Sequence, residues 1–285
     1  MTTSAQKTRI PSSDTLEVVR PRNYVNIVGW VLLALFAASF IVNIFTNSRW
    51  NWVTVFSYVF DPQVLQGLWK TIELTLYSGA AGIALGLLVG LMKLSASSSL
   101  RTAATIYIGF VRAIPPLVLI LVLYFLSALF PTIDVGFPFL PAITQMPTNT
   151  VLSHFGAAML GLTMIVGAHS AEIIRGGILS VSKGQLEAAR ALSIGPATTY
   201  AKVILPQAVR VTIPAFATEL ISLFKNTSLV SVIGYAELLT VVQNIYGRTY
   251  QTLPMLTVAC LWYLLLTIIS MYGQSRLERR FGKGY

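Results

Sequence analysis

Charge is what this sequence has least of. Only 11% of its 285 residues are Asp, Glu, Lys or Arg, against roughly 25% in a soluble globular protein. With 55% hydrophobic residues and a mean hydropathy of +0.71, that deficit excludes a soluble domain with a charged shell. Cysteine is nearly absent. Cys260 is alone and lies in an apolar run, so neither an intrachain disulfide framework nor a CxxC metal site can form. Two histidines, His154 and His169, are too few for a histidine-rich metal site. His169 reads as a packed or hydrogen-bonded helix residue, because no second ligand stands at a suitable spacing. No nucleophile–base cluster marks a membrane-embedded enzyme, so the sequence offers no catalytic and no metal-binding residue. Acids are scarcer than bases, 10 against 20, which leaves a net charge of +10. The bases lie in short segments between apolar runs, so membrane topology accounts for them and no nucleic-acid partner is implied.

What is present is apolar length. Six runs emerge, Ile27–Thr46, Gly67–Leu91, Ile106–Phe130, Gly156–Leu179, Ile213–Ile233 and Met255–Gln274. Each is long enough to cross the hydrocarbon core, which takes about 20 helical residues. Runs of this length satisfy their backbone in lipid only as helices. The expected fold is therefore an all-α membrane protein with six transmembrane helices. Fifteen of the 20 bases fall on one side of these spans. They are Lys7, Arg9, Arg20 and Arg22 before the first span, Lys93 and Arg101 after the second, and Arg175, Lys183, Arg190, Lys202 and Arg210 after the fourth. Arg276, Arg279, Arg280 and Lys283 follow the sixth. This bias places both termini in the cytoplasm. Residues 1–26 read as a polar cytoplasmic tail without regular structure. Residues 27–46 read as a signal anchor, too long for the apolar region of a cleaved signal peptide. Residues 276–285 read as a second cytoplasmic tail. Residues 131–155 form an outward loop without Lys or Arg, read as a surface or re-entrant segment, with a binding surface as the alternative.

Two features stand out within this frame. Gly82, Gly86 and Gly90 recur every four residues on one helix face, a pattern that permits close helix packing. The second feature is EAARALSIGPATTYAKVILP, Glu187–Pro206, which reads as two short helices broken at Gly195-Pro196, the second ending at Pro206. Ala188, Ala189 and Ala191 keep it slim, and Glu187 and Arg190 stand three apart, where they can pair. It makes a small stiff knob on the cytoplasmic side, able either to seat in a groove of another protein or to act as a plain connector.

The segment AEIIRGGILSVSKGQLEAARALSIGPATTYAKVILPQAVR (Ala171–Arg210) resembles the signature region of ABC-type importer permeases with an EAA motif. It is most similar to the polar amino acid branch that includes histidine, glutamine and arginine permeases. Glu187-Ala188-Ala189 and Leu205-Pro206 match the family pattern, while Ser193 stands at its Gly position and Val203 at its Ile position. Only Gly visits left-handed backbone freely, so Gly195 is expected to take over the turn from Ser193. Gly67–Ser78, Phe110–Phe125 and Glu219–Leu238 resemble further family segments, with Asn226 where the family carries Asp.

The resemblance implies a type I importer permease-like core of five helices within residues 67–275, plus one N-terminal helix. It implies that segment 182–212 couples to a separate ATPase through Glu187, Ala188, Ala189, Arg190, Ser193, Gly195, Leu205 and Pro206. The implied partners are a dimer of ATP-binding subunits, a second permease copy or related permease, an extracytoplasmic solute-binding protein and membrane lipid, in a bacterial inner membrane. ATP and Mg would be bound by the partner subunits. This sequence holds no GxxxxGK[ST] phosphate loop, so no cofactor and no enzymatic activity are expected in the chain.

The implied function is uptake of polar amino acids, with an opine or compatible solute as the alternative. A secondary transporter needs ion-coupling charges and usually an internal repeat, and no clear repeat is visible. Charges inside spans are costly, roughly 2.5–3.5 kcal/mol each at the bilayer centre. Glu219, Lys225, Asn226, Thr227 and Ser228 are therefore expected along the substrate path. Asn226 lacks the charge that an Asp would offer a cationic side chain, which points away from arginine or lysine. Glu172 and Arg175, three apart, read as a structural pair.

Overall fold

The computed structural model describes residues 24–136 and 143–281. The expected polar tail at residues 1–23 and the end of the chain from 282 lie outside the described residues. The chain divides into two units at Trp50 and Asn51. The first contains α1, Tyr24–Thr46, a helix with no buried residue and a mean hydropathy of 2.4. A helix that is apolar all round is suited to lipid.

The second unit holds the other spans. A short α2 (Trp52–Tyr58) leads to α3 (Pro62–Leu94), whose first turn is capped by the Asp61 side chain. α4 (Ser98–Ala113) and α5 (Pro116–Leu129) follow. The third span was expected to be one helix over Ile106–Phe130, but it is a broken pair bent by 103°. Pro115 and Pro116 supply no backbone N–H, and Pro115 pushes Ile114 into extended backbone, φ −92°, ψ 130°.

The described residues of the loop at 131–155 carry strand structure that an all-α fold does not imply. Strands β1 (Thr132–Val135) and β2 (Thr144–Pro147) pair antiparallel, Thr132 opposite Pro147 and Val135 opposite Thr144. A single turn, α6 (Thr148–Val151), then leads into α7 (His154–Leu179).

α8 (Lys183–Ala191) and α9 (Pro196–Thr199) form the knob. A π-helical turn, Tyr200–Ile204, runs on into α10 (Leu205–Asn226). Pro206 was expected to end the helix and does not. It sits in the first turn of α10, and the Leu205 N–H bonds five residues back to the Tyr200 carbonyl. That extra residue widens the helix where a proline ring would otherwise meet the preceding turn. A 3-10 segment, Thr227–Ile233, ends at Gly234 with φ 77°. α11 (Leu238–Thr249) and α12 (Thr252–Phe281) complete the chain, so the C-terminal tail expected from residue 276 is helical as far as Phe281.

The core forms along α7, whose principal partner is α3. The spaced glycines of α3 meet side chains that also recur every four residues on α7. A Cβ at Gly82 would lie 2.5 Å from Val166 Cβ, one at Gly86 2.3 Å from Ser170 Cβ, and one at Gly90 3.4 Å from Ile174 Cβ. At the hairpin end a second apolar cluster joins Val55, Val64 and Leu68 to Leu238, Val242 and Met255. The Trp262 indole N–H donates to the Val59 carbonyl there at 2.8 Å.

The seam predicts a specific sensitivity. Gly86→Leu forces backbones apart at a contact lacking room for even one methyl, and overpacking of this kind costs about 1–3 kcal/mol. Gly109 on α4 has no atom within 4 Å of its added Cβ. Thermal unfolding of the purified protein in detergent is expected to show a clear fall in midpoint for Gly86→Leu and little change for Gly109→Leu. Equal midpoints for the two variants would remove the tight seam.

Candidate functional site

The knob is built from the helix ends inward. α8 stops because Ser193 adopts left-handed backbone, φ 54°, while Gly195 is extended at φ −60°, ψ 151°. The expectation that Gly195 would take over this turn is therefore corrected. Two hydrogen bonds hold Ser193 in place, from its own N–H to the Arg190 carbonyl at 2.9 Å and from the Ile194 N–H to the Ala189 carbonyl at 2.9 Å. They form the paired closure that commonly ends helices with glycine at this position. Gly195 instead precedes Pro196, the first residue of α9.

Ala189, Val181, Thr199 and Ile204 are buried and fix the knob to its base. Gln207 on α10 donates from Nε2 to Gln185 Oε1 at 2.6 Å. The other residues singled out in the sequence, Glu187, Ala188, Arg190, Ser193, Gly195, Leu205 and Pro206, are exposed. Leu192 at the tip is 75% exposed. Glu187 and Arg190 do not form the pair that their spacing allows. Neither belongs to an ion pair among the described residues, in keeping with the small gain from pairing fully solvated charges. The knob thus presents an unpaired carboxylate, an unpaired guanidinium and an exposed leucine on a braced frame.

The charges within the spans separate into different roles. Glu172 is structural, as its spacing suggested. It accepts from Arg175 Nη2 at 2.8 Å and from Lys93 Nζ at 3.2 Å, which ties α7 to α3. Glu219 turns toward α7 and meets His169 Nδ1 at 2.9 Å, so His169 is the hydrogen-bonded helix residue expected. Among the described residues no group of three or more His, Cys, Asp or Glu is placed to hold a metal ion.

Lys225, six residues after Glu219, points to a different side of α10, is exposed and belongs to no ion pair among the described residues. Asn226 ends the helix half-buried. Thr227 is fully buried, with its hydroxyl donating to the Phe224 carbonyl at 2.6 Å. Ser228 donates to the Lys225 carbonyl at 2.8 Å. The expected cluster is therefore not one surface. Lys225 is its exposed charge, Thr227 is packed, and Glu219 is engaged elsewhere. A seven-residue 3-10 run beginning at this point is unusual, because such helices rarely exceed three or four residues.

Sequence reasoning missed Glu237. Its side chain is fully buried at the start of α11. It accepts from the Leu239 N–H at 2.9 Å, the Thr240 N–H at 2.8 Å, the Thr240 hydroxyl at 3.1 Å and the Tyr263 hydroxyl at 2.8 Å. The Thr71 hydroxyl of α3 lies at 3.4 Å and itself accepts from the Leu238 N–H at 3.0 Å. One carboxylate thus joins α3, α11 and α12. Burial pushes its pKa up, and the backbone and side-chain donors offset part of that shift. The available signal was an acid just ahead of a helix and just after a glycine, a capping position.

Comparison with known proteins agrees with this architecture. The family model described as binding-protein-dependent transport system inner membrane component matches residues 82–283. The arginine transport system permease protein ArgU of Corynebacterium glutamicum is 36% identical, over 90% of this chain and 80% of that protein. The probable glutamine ABC transporter permease protein GlnM of Bacillus subtilis is 31% identical, over 80% and 99%. A crystal structure of an amino acid ABC transporter with histidines contains a chain that is 33% identical, with a TM-score of 0.66 over 77% of this chain and 94% of that one. The chain in an inward-facing structure of the MetNI methionine ABC transporter, at 23% identity and a TM-score of 0.59, shares the fold. A multi-pass frame of this fold with a braced, exposed knob, matched by the family over most of its length, belongs to the binding-protein-dependent transport system inner membrane components, the permease subunits of ABC importers.

Proposed function

We propose that this permease forms the translocation path of an ATP-driven importer for polar amino acids, and that the knob transmits work from a separate ATPase. The observation that carries this reading is the knob itself. Its base is buried and hydrogen-bonded, while Glu187, Arg190 and Leu192 are exposed and neither charge belongs to an ion pair among the described residues. Burying a leucine side chain of this kind contributes about 1.5–3 kcal/mol, and a carboxylate and a guanidinium beside it supply register and specificity. The chain works with ATP-binding subunits that hold ATP and Mg, with a solute-binding protein, and with a second permease, a copy or a relative. It performs no covalent chemistry itself. The distribution of Lys and Arg supports a cytoplasmic knob, cytoplasmic termini and an outward hairpin end.

The substrate class rests on the relatives, whose names include arginine, glutamine and glutamate transport. Asn226 in place of an acid favours a neutral polar side chain, and the arginine permease among the relatives favours a cationic one. Polar amino acids as a class accommodate both. An opine is a second reading, because the octopine transport system permease protein OccM of Rhizobium radiobacter is 32% identical over 72% of this chain and 80% of that protein. Binding of amino acids and octopine to the partner solute-binding protein separates the two.

Glu187→Lys reverses a charge on the docking face and leaves the buried base intact. The variant is expected to lose co-purifying ATPase, or to hydrolyse ATP without transport, because a docked charge deprived of its partner costs several kcal/mol. Normal co-purification with normal coupled uptake would reduce the knob to a connector. A second prediction concerns the exposed charge of α10. Lys225→Ala and Asn226→Asp are expected to change the ranking of arginine, glutamine and glutamate in liposome uptake, with the complex still assembled. Unchanged rankings in both variants would return these residues to a structural role.

A further inference from the structure

A cavity of about 520 Å³ opens at the hairpin end, with neither the knob nor Lys225–Ser228 in its lining. Gln66, Lys70 and Glu73 of α3 form one wall, His154 and Phe155 at the start of α7 a second, and Tyr235 a third. Building on the amino acid reading above, we propose that this cavity is a receiving subsite for the substrate's zwitterionic head group. In it the Lys70 ammonium takes the α-carboxylate and the Glu73 carboxylate takes the α-ammonium.

The sequence pattern is the first support. Gln63, Gln66, Lys70, Glu73 and Tyr77 recur at intervals of three and four residues, which places them on one face of α3. The opposite face of the same turns is buried through Val64, Leu68, Thr71 and Leu74. A polar stripe on a membrane-spanning helix faces water or a partner rather than lipid. Glu73 stands about 17 Å along α3 from Pro62, at the helical rise of 1.5 Å per residue, so the stripe leads from the hairpin end into the depth of the span.

The pair keeps binding capacity in reserve. Lys70 Nζ and Glu73 Oε2 are 2.7 Å apart, with side chains 42% and 24% exposed. That contact uses one of the three ammonium donors and one of the two carboxylate oxygens, and leaves the remainder free for a third group. The two charges of an α-amino acid are separated by a single carbon. A ligand of that shape lies antiparallel to a Lys–Glu pair that already meets, and bonds to both partners without separating them far.

The other walls suit the rest of such a ligand. Tyr235 lies close enough to interact electrostatically with both Lys70 and Glu73, and burial pushes its phenol up, so it remains a neutral donor. Its ring meets Phe155 at a centroid distance of 5.9 Å, an aromatic surface for a side chain. His154 is held by a hydrogen bond between its Nε2 and the Tyr124 hydroxyl at 3.1 Å. The cavity volume falls within the roughly 300–1,000 Å³ usual for small-molecule sites.

The position also links the subsite to the 3-10 segment. Gly234, Tyr235 and Ala236 line the cavity and connect the 3-10 segment to α11. Glu237, the next residue, is bonded to α3 and α12. The Thr71 contact lies on α3 between Lys70 and Glu73, so the Tyr235 wall is tied to the wall that carries the pair.

The test uses the complete importer in liposomes, with its ATPase and binding protein and with arginine, glutamine and glutamate as probes. The readout is the amount of amino acid taken up per ATP hydrolysed. The double variant Lys70→Gln/Glu73→Gln removes both charges and leaves neither unpaired, so a pair that serves only stability is replaced at little cost. Loss of two charge-assisted contacts to the substrate is instead expected to lower uptake per ATP by about tenfold or more. Gln66→Trp, at an exposed rim position, narrows the cavity without touching the pair and is expected to act in the same direction. Wild-type uptake per ATP in both variants overturns the subsite alone. A wild-type complex that takes up none of the three amino acids overturns the reading beneath it as well.

Discussion

The close approach of α3 to α7 is the constraint on which the remaining structure depends. Lipid supplies no hydrophobic drive to bring two apolar helices together, so contact requires shape. Gly82, Gly86 and Gly90 supply it on one side, and Val166, Ser170 and Ile174 fill the groove from the other. α10 packs against a small residue on each of these helices. A Cβ at Gly79 would meet Leu220 of α10 at 2.9 Å, and one at Gly177 would meet Thr212 at 2.2 Å. Three helices are thus locked through small-residue contacts, with Glu172 bridging α7 to Lys93 at its knob end. Under the proposed coupling, such a frame would carry a push at the knob along α10 to the 3-10 segment.

Apart from the buried Thr163 and Ser170 hydroxyls, which have no hydrogen-bond partner among the described residues, the polar groups inside this frame follow a simple division. Those with complete hydrogen bonding hold the structure. Glu237 collects donors from three helices, Glu172 meets two bases, and Thr227 returns its hydroxyl to its own helix. Those with spare capacity face open space. Lys225 belongs to no ion pair among the described residues, and Lys70 and Glu73 meet each other beside a cavity. Burying a polar group without a partner is costly. Under the proposed function, the exposed charges within the spans are the places where a solute or a second subunit would complete the bonding.

Much of this was legible in the residues. Span positions follow from apolar length, the α3 seam from glycine spacing, and the knob from two short helix-forming stretches around Gly195-Pro196. What escaped the sequence depended on geometry across helices or on local hydrogen bonding. Ser193 keeps a left-handed turn because two backbone bonds close over it, a stabilisation that residue preference alone does not reveal. Pro206 lies inside a continuous helix because a π turn makes room for it. Glu237 looks like an ordinary solvated acid until α3 and α12 cover it. The break at Pro115-Pro116 had a plain signal, but the run of apolar residues on both sides masked it. Glu219 and Lys225 looked like one cluster because they are near in sequence. Six residues on a helix instead place them on different sides.

The central claim is that conformational work enters through the knob from ATP hydrolysed on another subunit. Its most direct test is uptake into liposomes carrying the permease, its ATPase and the binding protein, measured with ATP inside or with an imposed proton or sodium gradient alone. The account predicts uptake that requires internal ATP and the binding protein and is unaffected by the gradients. Substrate accumulation driven by an ion gradient, with ATP and ATPase omitted, would contradict it.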